Sequence, residues 1–482
     1  MNLMSESFVT VSKQVGALLF ILIFTAPLLS QEWDQFRGPN GFGVVETGKL
    51  PSEFGPEKNV VWKVEVPTGY SSPILSKKFI FLTGVEDEKL FTYCVDRKSG
   101  KILWQKEAPR DREEKLDHRN NAASPSPAVD EKNAYIFFPD FGLIAYNFSG
   151  KELWRLPLGP FQNDYGMGAS PVVAEGVVVL VCDQSTNSFI IGVDANSGKE
   201  IWRTTRPEAT SGHSTPVIFR PENGETELVV PGSFYLTGYS VKTGEKLWWV
   251  RGLSFEMKST PVLQDGIAFI NGYATPLNQP DRMVKIPSFE KVITEQDKDK
   301  NRLLSKGEMT SRRDSIFFDF VDLDKDKSLT GAEWNYYRAA METKNGMLAI
   351  RVGGRGDMTE KNILWQYHKA VPQLPSPLLY KNVLYMVNDG GIATSFNPKT
   401  GEVMKQGRLK GARGNFYASP IASDDKVFMI SQAGKVATLM PDGSLETVAV
   451  SDLGDEVYAT PAVADGKIYL RTLSTLYCFG ER

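Results

Sequence analysis

The chain has 482 residues, with 55 lysines and arginines against 58 aspartates and glutamates and a formal net charge of -3. Without a basic excess, dedicated binding of nucleic acid is disfavoured, and a hydrophobic content of 41% is ample for a folded core. The three cysteines are too few for a disulfide framework.

The N-terminal segment 1–30 has the layout of a secretory signal peptide. An apolar run from Val15 to Leu29 follows Lys13, and we expect cleavage after Ser30. About 15 apolar residues fall short of the ~20 that a membrane-spanning helix needs. The mature protein is therefore predicted to be periplasmic or secreted, with no stable membrane span. No cysteine follows the run, so no lipid is expected there, and residues 31–58 are predicted to form an N-terminal arm.

A repeat then opens eight times with a Ser/Thr-Pro step, followed six or seven residues later by an apolar run such as 79–82. The eight prolines are Pro73, Pro127, Pro171, Pro216, Pro261, Pro377, Pro420 and Pro461. Neighbouring prolines are 41 to 54 residues apart, except for one interval of 116. Aromatic and β-branched runs between turn residues are typical of strands. The spacing therefore predicts eight β-repeats, one of them carrying an insertion of about 70 residues.

A second motif occurs toward the end of most repeats. Its fullest copies are Asp-Arg-Lys-Ser-Gly-Lys-Ile-Leu-Trp at 96–104 and Asp-Ala-Asn-Ser-Gly-Lys-Glu-Ile-Trp at 194–202, and looser copies begin at Asn147, Ser240 and Asn397. Glycine supplies the positive φ of a hairpin turn, Asp or Asn bonds the nearby backbone, and tryptophan buries a large ring. The motif is therefore predicted to be structural.

A repeat of about 45 residues with four strands has the size of a propeller blade. The last repeat lacks a terminal tryptophan strand, whereas Val60-Val61-Trp62 has no repeat before it. We predict an all-β fold, an eight-bladed β-propeller in which strand 59–66 closes blade eight. Residues 59–287 and 346–482 form the propeller, and residues 288–345 form a small α-helical insertion in blade five.

The two motifs together resemble the quinoprotein-type repeat (PQQ-like) family of eight-bladed propellers, over nearly all of the mature chain outside the insertion. This family includes quinoprotein alcohol dehydrogenases and the outer-membrane assembly factor BamB. The resemblance implies the fold, but propellers host many unrelated activities. For the dehydrogenases of this family, the resemblance implies a quinone that is stacked between a tryptophan and a disulfide of adjacent cysteines. Calcium and a catalytic aspartate lie beside it.

The cysteines of this chain do not match that clamp. Cys94, Cys182 and Cys478 are not adjacent in sequence, and no Cys-x-x-Cys-His haem motif is present. Their positions in apolar strands favour a structural role. The sequence therefore argues against PQQ as a cofactor and against an enzyme of this type.

The loops before the Ser/Thr-Pro steps are expected to meet at a central funnel, where propellers usually bind ligands. Candidate ligand-binding residues there are Tyr70, Asn121, Asp164, His213, Lys258, Gln373, Asn415, Tyr417 and Tyr458. Their ligand is predicted to be a protein or a carbohydrate; the alternative is that they bond only their own loops. The three histidines fall in different blades and do not have the spacing of a metal site.

The insertion contains two matches to the twelve-residue calcium loop of EF-hands. The predicted calcium ligands are Asp297, Asp299, Asn301, Leu303, Ser305 and Glu308 in loop one, and Asp322, Asp324, Asp326, Ser328, Thr330 and Glu333 in loop two. Positions 1, 3 and 5 offer side-chain oxygens, position 7 a carbonyl, position 9 a hydroxyl and position 12 a bidentate glutamate. The sequence therefore predicts an EF-hand pair; the alternative is a solvated charged insertion whose loops stay empty.

Two departures from the calcium-loop pattern matter. Position 6, normally glycine, is Arg302 in loop one and Lys327 in loop two. The loop needs an αL conformation there, which costs on the order of 1 kcal/mol for each residue that has a Cβ. Thirteen residues separate the loops, so one shared helix is expected between them. We predict a helix-loop-helix-loop-helix arrangement.

These features predict an exported binding or scaffold protein with a calcium-binding module. Two other classes stay open. One is an enzyme, either a divergent quinoprotein oxidoreductase or a carbohydrate-active propeller that uses the funnel. The other is a BamB-like outer-membrane assembly factor.

Overall fold

The computed structural model describes residues 33–481. The predicted signal peptide, 1–30, and the first two residues of the predicted arm lie outside the described residues. Within that range, eight sheets of four or five strands succeed one another along the chain, which confirms the predicted all-β, eight-bladed propeller. None of the helices in 33–481 is both long and apolar enough to cross a membrane.

The first strand, β1 (Val60–Glu65), belongs to the last blade, and blades one to four follow it. Blades one and two contain β2 (Ile74–Leu75), β3 (Phe79–Glu86), β4 (Lys89–Asp96), β5 (Ile102–Ala108), β6 (Ala128–Val129), β7 (Asn133–Phe138), β8 (Gly142–Asn147) and β9 (Glu152–Pro157). Blades three and four contain β10 (Val172–Ala174), β11 (Val177–Cys182), β12 (Phe189–Asp194), β13 (Glu200–Thr205), β14 (Val217–Phe219), β15 (Glu227–Pro231), β16 (Tyr235–Ser240) and β17 (Lys246–Arg251).

Blade five is split by a helical segment. In chain order this part contains β18 (Val262–Gln264), β19 (Ile267–Gly272), α1 (Phe289–Gln296), β20 (Leu304–Ser305), α2 (Arg312–Val321), β21 (Ser328–Leu329), α3 (Gly331–Glu342), β22 (Gly346–Arg351), β23 (Gly356–Asp357), α4 (Thr359–Asn362) and β24 (Ile363–Tyr367). Blade five is the sheet β18-β19-β22-β24, and β23 adds a fifth, parallel strand to the outer edge of blade four.

The last three blades complete the ring. They contain β25 (Leu378–Tyr380), β26 (Val383–Val387), β27 (Ile392–Phe396), β28 (Val403–Arg408), β29 (Ile421–Ser423), β30 (Lys426–Ile430), β31 (Lys435–Leu439), β32 (Thr447–Asp452), β33 (Ala462–Ala464), β34 (Lys467–Arg471) and β35 (Thr475–Gly480). Strand β1 pairs antiparallel with β35, opposing Trp62 to Cys478 and Val64 to Leu476. The earliest strand is thus the outer strand of blade eight.

Burial along the strands follows their place in the blade. All six residues of β11 are buried, because a middle strand is covered on both faces by the neighbouring blades. The outer strand β1 alternates between half-buried and exposed residues, as expected where one face meets solvent. Valine, isoleucine and aromatic side chains suit this pleated, packed surface.

The Ser/Thr-Pro steps form a ring of hydrogen bonds around the propeller axis. In seven of the eight steps, the backbone N–H of the Ser or Thr donates to the hydroxyl oxygen of the next step, at 2.9–3.0 Å. The closing bond runs from Thr460 N to Ser72 Oγ. Among the described residues, the hydroxyl of Thr260 accepts no such bond, so the link between blades four and five differs from the others.

The tryptophans of the second motif form an outer set of links between blades. The Nε1 of Trp104 donates to Phe148 O at 3.0 Å, and that of Trp154 donates to Ala195 O at 2.9 Å, in each case across to the next blade. The ring of Trp154 also covers Gly198, whose φ is 71° and whose position leaves no room for a Cβ. Each such copy of the motif therefore forms the turn of its own blade and the surface on which the tryptophan of the preceding blade packs.

The arm 33–58 is held against the innermost strands. Leu75 N donates to Trp33 O, and Ala422 N donates to Gly43 O, which joins the arm to blades one and seven. Arg37 is fully buried and donates to Gly41 O at 3.0 Å and to Pro377 O at 2.7 Å. The arm thus ties together strands that are distant in sequence.

The hydroxyl ring gives a matched pair of substitutions. Thr215→Val should lower the free energy of unfolding by about 1–2 kcal/mol, because Ser170 N then loses its buried acceptor. Thr260→Val should cost less than about 0.5 kcal/mol, because no described N–H donates to that hydroxyl. Urea denaturation followed by tryptophan fluorescence measures both; equal losses would contradict the ring.

Candidate functional site

The loops preceding the innermost strands surround an axial cavity of about 590 Å³. Seven of the nine predicted funnel residues line it: Tyr70, His213, Lys258, Gln373, Asn415, Tyr417 and Tyr458. The other two do not. Asn121 instead accepts a hydrogen bond from Ala123 N in its own loop, and Asp164 points toward the insertion, where it pairs with Lys325.

One wall of the funnel is a stack of tyrosines from three blades. The rings of Tyr70 and Tyr458 are 3.9 Å apart and nearly parallel, and Tyr417 stacks on Tyr458 at 5.3 Å. Gln432 Nε2 donates to the Tyr458 hydroxyl, which donates to Glu456 at 2.9 Å. Burial and the bond to Glu456 raise the pKa of Tyr458. This wall is therefore neutral and offers hydroxyl and amide groups.

His213 lies in the funnel lining and packs against Gly168 and Tyr165. Its backbone N–H donates to Met257 O, which fixes the loop at the junction of blades four and five. Burial lowers the pKa of His213 to about 4. Its Nε2 is buried and has no hydrogen-bond partner within 33–481.

Sequence reasoning missed several lining residues. Arg119 donates two hydrogen bonds to Asp117, at 2.6 and 3.1 Å. These two residues line the cavity together with Asp389. The Arg119 hydrogen bond lowers the pKa of Asp117, whereas burial raises that of Asp389. The polar run 117–121, which also contains the predicted Asn121, was the available signal. Phe36 enters the lining from the arm. The arm lies outside the repeats, so the repeat pattern does not predict this residue.

The cations of the funnel already have partners. Lys258 Nζ is 2.5 Å from Glu256 Oε2, and both side chains are nearly buried. Arg119 is paired with Asp117. With two paired cations and a further carboxyl at Asp389, the lining carries no positive excess for an anionic ligand.

The insertion has three helices separated by the two predicted calcium loops. Leu304 of β20 pairs with Leu329 of β21, so the loops lie side by side. Position 6 has φ 63° at Arg302 and 74° at Lys327, the αL conformation expected from the loop pattern. The insertion also shares an apolar cluster with the propeller, in which Trp334 lies with Phe255.

Each loop gathers acidic groups at its ends. Ligand oxygens of Asp297, Asp299 and Glu308 lie within 4.8 Å of one another, as do those of Asp322, Asp324 and Glu333. Hydrogen bonds from Ser305 and the backbone lower the pKa of Glu308 to about 2. These carboxylates can be brought to one cation with little rearrangement.

The first aspartate of each loop has the same arrangement. Asp297 Oδ2 accepts from Arg302 N at 2.9 Å, and Asp322 Oδ2 accepts from Lys327 N at 3.0 Å. The other oxygen, Oδ1, is buried and has no partner among the described residues in either loop. An unpaired buried carboxylate oxygen is costly, and a cation would satisfy it. The residues present therefore fit calcium.

Comparisons with known proteins agree with this fold. A family model described as "Outer membrane protein assembly factor BamB" matches residues 92–274 and 339–481. BamB from Yersinia pestis is 21% identical over 330 residues, which are 67% of this chain and 76% of that protein.

Two solved structures are similar in fold. BamB from Moraxella catarrhalis has a TM-score of 0.54 at 11% identity, covering 88% of this chain and 99% of that one. Quinohemoprotein alcohol dehydrogenase from Comamonas testosteroni has a TM-score of 0.57 at 10% identity, covering 94% and 81%. At these identities the structures share the propeller alone.

The burial of His213 gives a pH prediction. The unfolded chain takes up this proton near pH 6.5 and the folded protein only near pH 4. His213 should therefore lower stability as pH falls from 6.5 to 4. The ring resonances of His213 in NMR should stay those of a neutral imidazole down to pH 5, and His213→Gln should flatten the stability slope. A midpoint near pH 6.5 would contradict the burial.

Proposed function

Because the chain belongs to the BamB family of PQQ-like propellers, we propose that it is an exported binding or scaffold protein that holds calcium in its blade-five insertion. Its propeller supplies the partner surface, and its location is the periplasm or the cell exterior. The observation that carries the calcium part is the buried Oδ1 of Asp297 and of Asp322, which has no partner in the described part of the chain.

Calcium takes six to eight oxygen ligands at flexible geometry. In loop one these come from Asp297, Asp299, Asn301, Ser305 and Glu308, with the carbonyl of Leu303. In loop two they come from Asp322, Asp324, Asp326, Thr330 and Glu333, with the carbonyl of Ser328. Bound calcium supplies positive charge between carboxylates that otherwise repel one another. A ligand that binds only the folded insertion stabilises it.

A quinone is not part of this proposal, because the residues do not fit one. Cys94, Cys182 and Cys478 are free and buried in strands, outside the funnel lining. Burial raises the pKa of Cys94 and of Cys478 to about 12, so both stay thiols. The lining cations are already paired, which leaves no free charge for a polycarboxylate.

A second candidate is a carbohydrate in the funnel. It is favoured by the size of the cavity, the tyrosine wall, and the amides of Gln373 and Asn415 among its lining residues. Calorimetric titration with neutral oligosaccharides tests it. Tyr417→Ala should weaken such binding, whereas Tyr367→Ala on the outer strand β24, half-buried and outside the funnel lining, should not. No heat with any oligosaccharide would remove this candidate.

A third candidate is an outer-membrane assembly role, which rests on the family and on the BamB of Yersinia pestis. Cross-linking in intact cells of the native host, followed by identification of outer-membrane partners, tests it. Cross-links that all lie in soluble proteins would count against this role.

Calcium binding is tested by isothermal titration calorimetry. The wild type should give heat for two sites, and the double variant Glu308→Gln, Glu333→Gln should lose it, because both bidentate ligands are gone. The control is Glu295→Gln, Glu342→Gln, which removes two charges from α1 and α3 outside the loops and should bind as the wild type does. Unchanged heat in the first double variant would contradict the assignment.

A further inference from the structure

Loop two of the insertion contacts the rim of the funnel directly. Lys325, at position 4, has its Nζ 3.1 Å from Asp164 Oδ2 and also donates to Asp319 O. Asp164 belongs to the propeller and is the residue before Tyr165, which lines the funnel. Its other oxygen is 2.8 Å from Lys115 Nζ, in the neighbouring rim loop. One carboxylate thus bridges the insertion and two rim loops.

A second contact lies beside this ion pair. Leu323, at position 2 of loop two, lines a small cavity together with Tyr165, Thr210 and Tyr336. The backbone N–H of Leu323 donates to Glu333 Oε1 at 2.8 Å. A bidentate Glu333 turns both oxygens to the cation, so the cation and the Leu323 hydrogen bond share Oε1. The ligand at position 12 is therefore connected mechanically to a residue packed on the rim.

The rim segment 163–166 connects these contacts with the funnel lining. Tyr165 O accepts from Asn120 Nδ2 at 2.8 Å, and the ring of Tyr165 meets His213 edge to face at 6.2 Å. Arg119 also lies over that ring. A shift of 163–166 would therefore move three groups of the funnel lining together.

Loop one provides the contrast. Its ion pairs stay inside the insertion: Arg302 pairs with Glu290, and Lys306 pairs with Asp319. Its position 4 is Lys300, which is exposed and has φ 60°, close to the 63° of Lys325. The two loops share backbone geometry but differ in what position 4 contacts.

We propose that calcium in loop two regulates the funnel by fixing Lys325 and Leu323 against the rim segment 163–166. This inference rests on the proposed calcium binding. Calcium shifts the rim toward the conformation that loop two contacts best, since a ligand can bias an equilibrium only through contacts that differ between its states. By linkage, a ligand in the funnel changes calcium affinity by the same factor.

Hydrogen exchange measured by mass spectrometry on the full chain tests this coupling. Calcium should slow exchange in segment 158–169 by roughly fivefold or more, the lower end of typical couplings. Segment 409–419, a rim loop between blades six and seven, is the internal control and should not change.

Matched variants separate the ion pair from calcium binding itself. Lys325→Met should weaken the effect on 158–169, because only the Leu323 contact remains, and keep the heat of two calcium sites, whereas Lys300→Met should keep both. Asp164→Asn should repeat the Lys325→Met result from the propeller side. Calcium heat without any change at 158–169 in the wild type would overturn the coupling and leave calcium binding standing. Absent heat in the wild type would overturn both.

Discussion

The ring of amide-to-hydroxyl hydrogen bonds around the axis, continuous except between blades four and five, is the constraint on which this protein depends. Each Ser/Thr-Pro step starts an innermost strand, and proline fixes its φ and leaves its own nitrogen without a proton. The Ser or Thr before it must therefore supply both the donor and the acceptor at the axis. Seven such bonds, ending with Thr460 to Ser72, join the inner edges of neighbouring blades.

The funnel and the insertion lie where this ring of hydrogen bonds imposes no contacts. Loops before the Ser/Thr-Pro steps lie outside the named strands of the blades, and their side chains form the funnel. The insertion leaves blade five between β19 and β22, where Gly272 and Gly346 are paired. Because the two ends of the insertion lie side by side, the sheet continues around it. A helical module can thus sit at the rim without breaking the propeller.

Much of the fold was predictable because its signals are periodic. The Ser/Thr-Pro spacing predicted the blades, and the unpartnered Trp62 strand predicted that β1 would join blade eight. The funnel was predicted less well, since residues were placed by counting back from each proline. Because the loops differ in length, the side chain of Asn121 bonds within its own loop and that of Asp164 points toward the insertion. Arg37, Phe36 and the added strand β23 occur once each, so no repeat could reveal them.

The pairing of β1 with β35 sets the order in which the protein can finish folding. Val60 faces Phe479, so β1 has no partner strand until β35 has been made. Contacts of such sequence separation form late and slowly. Until then the edge of β35 is unpaired and the ring of blades is open. An unpaired strand edge can pair with another chain. A chain that lacks β35 therefore cannot pair β1 and cannot complete blade eight.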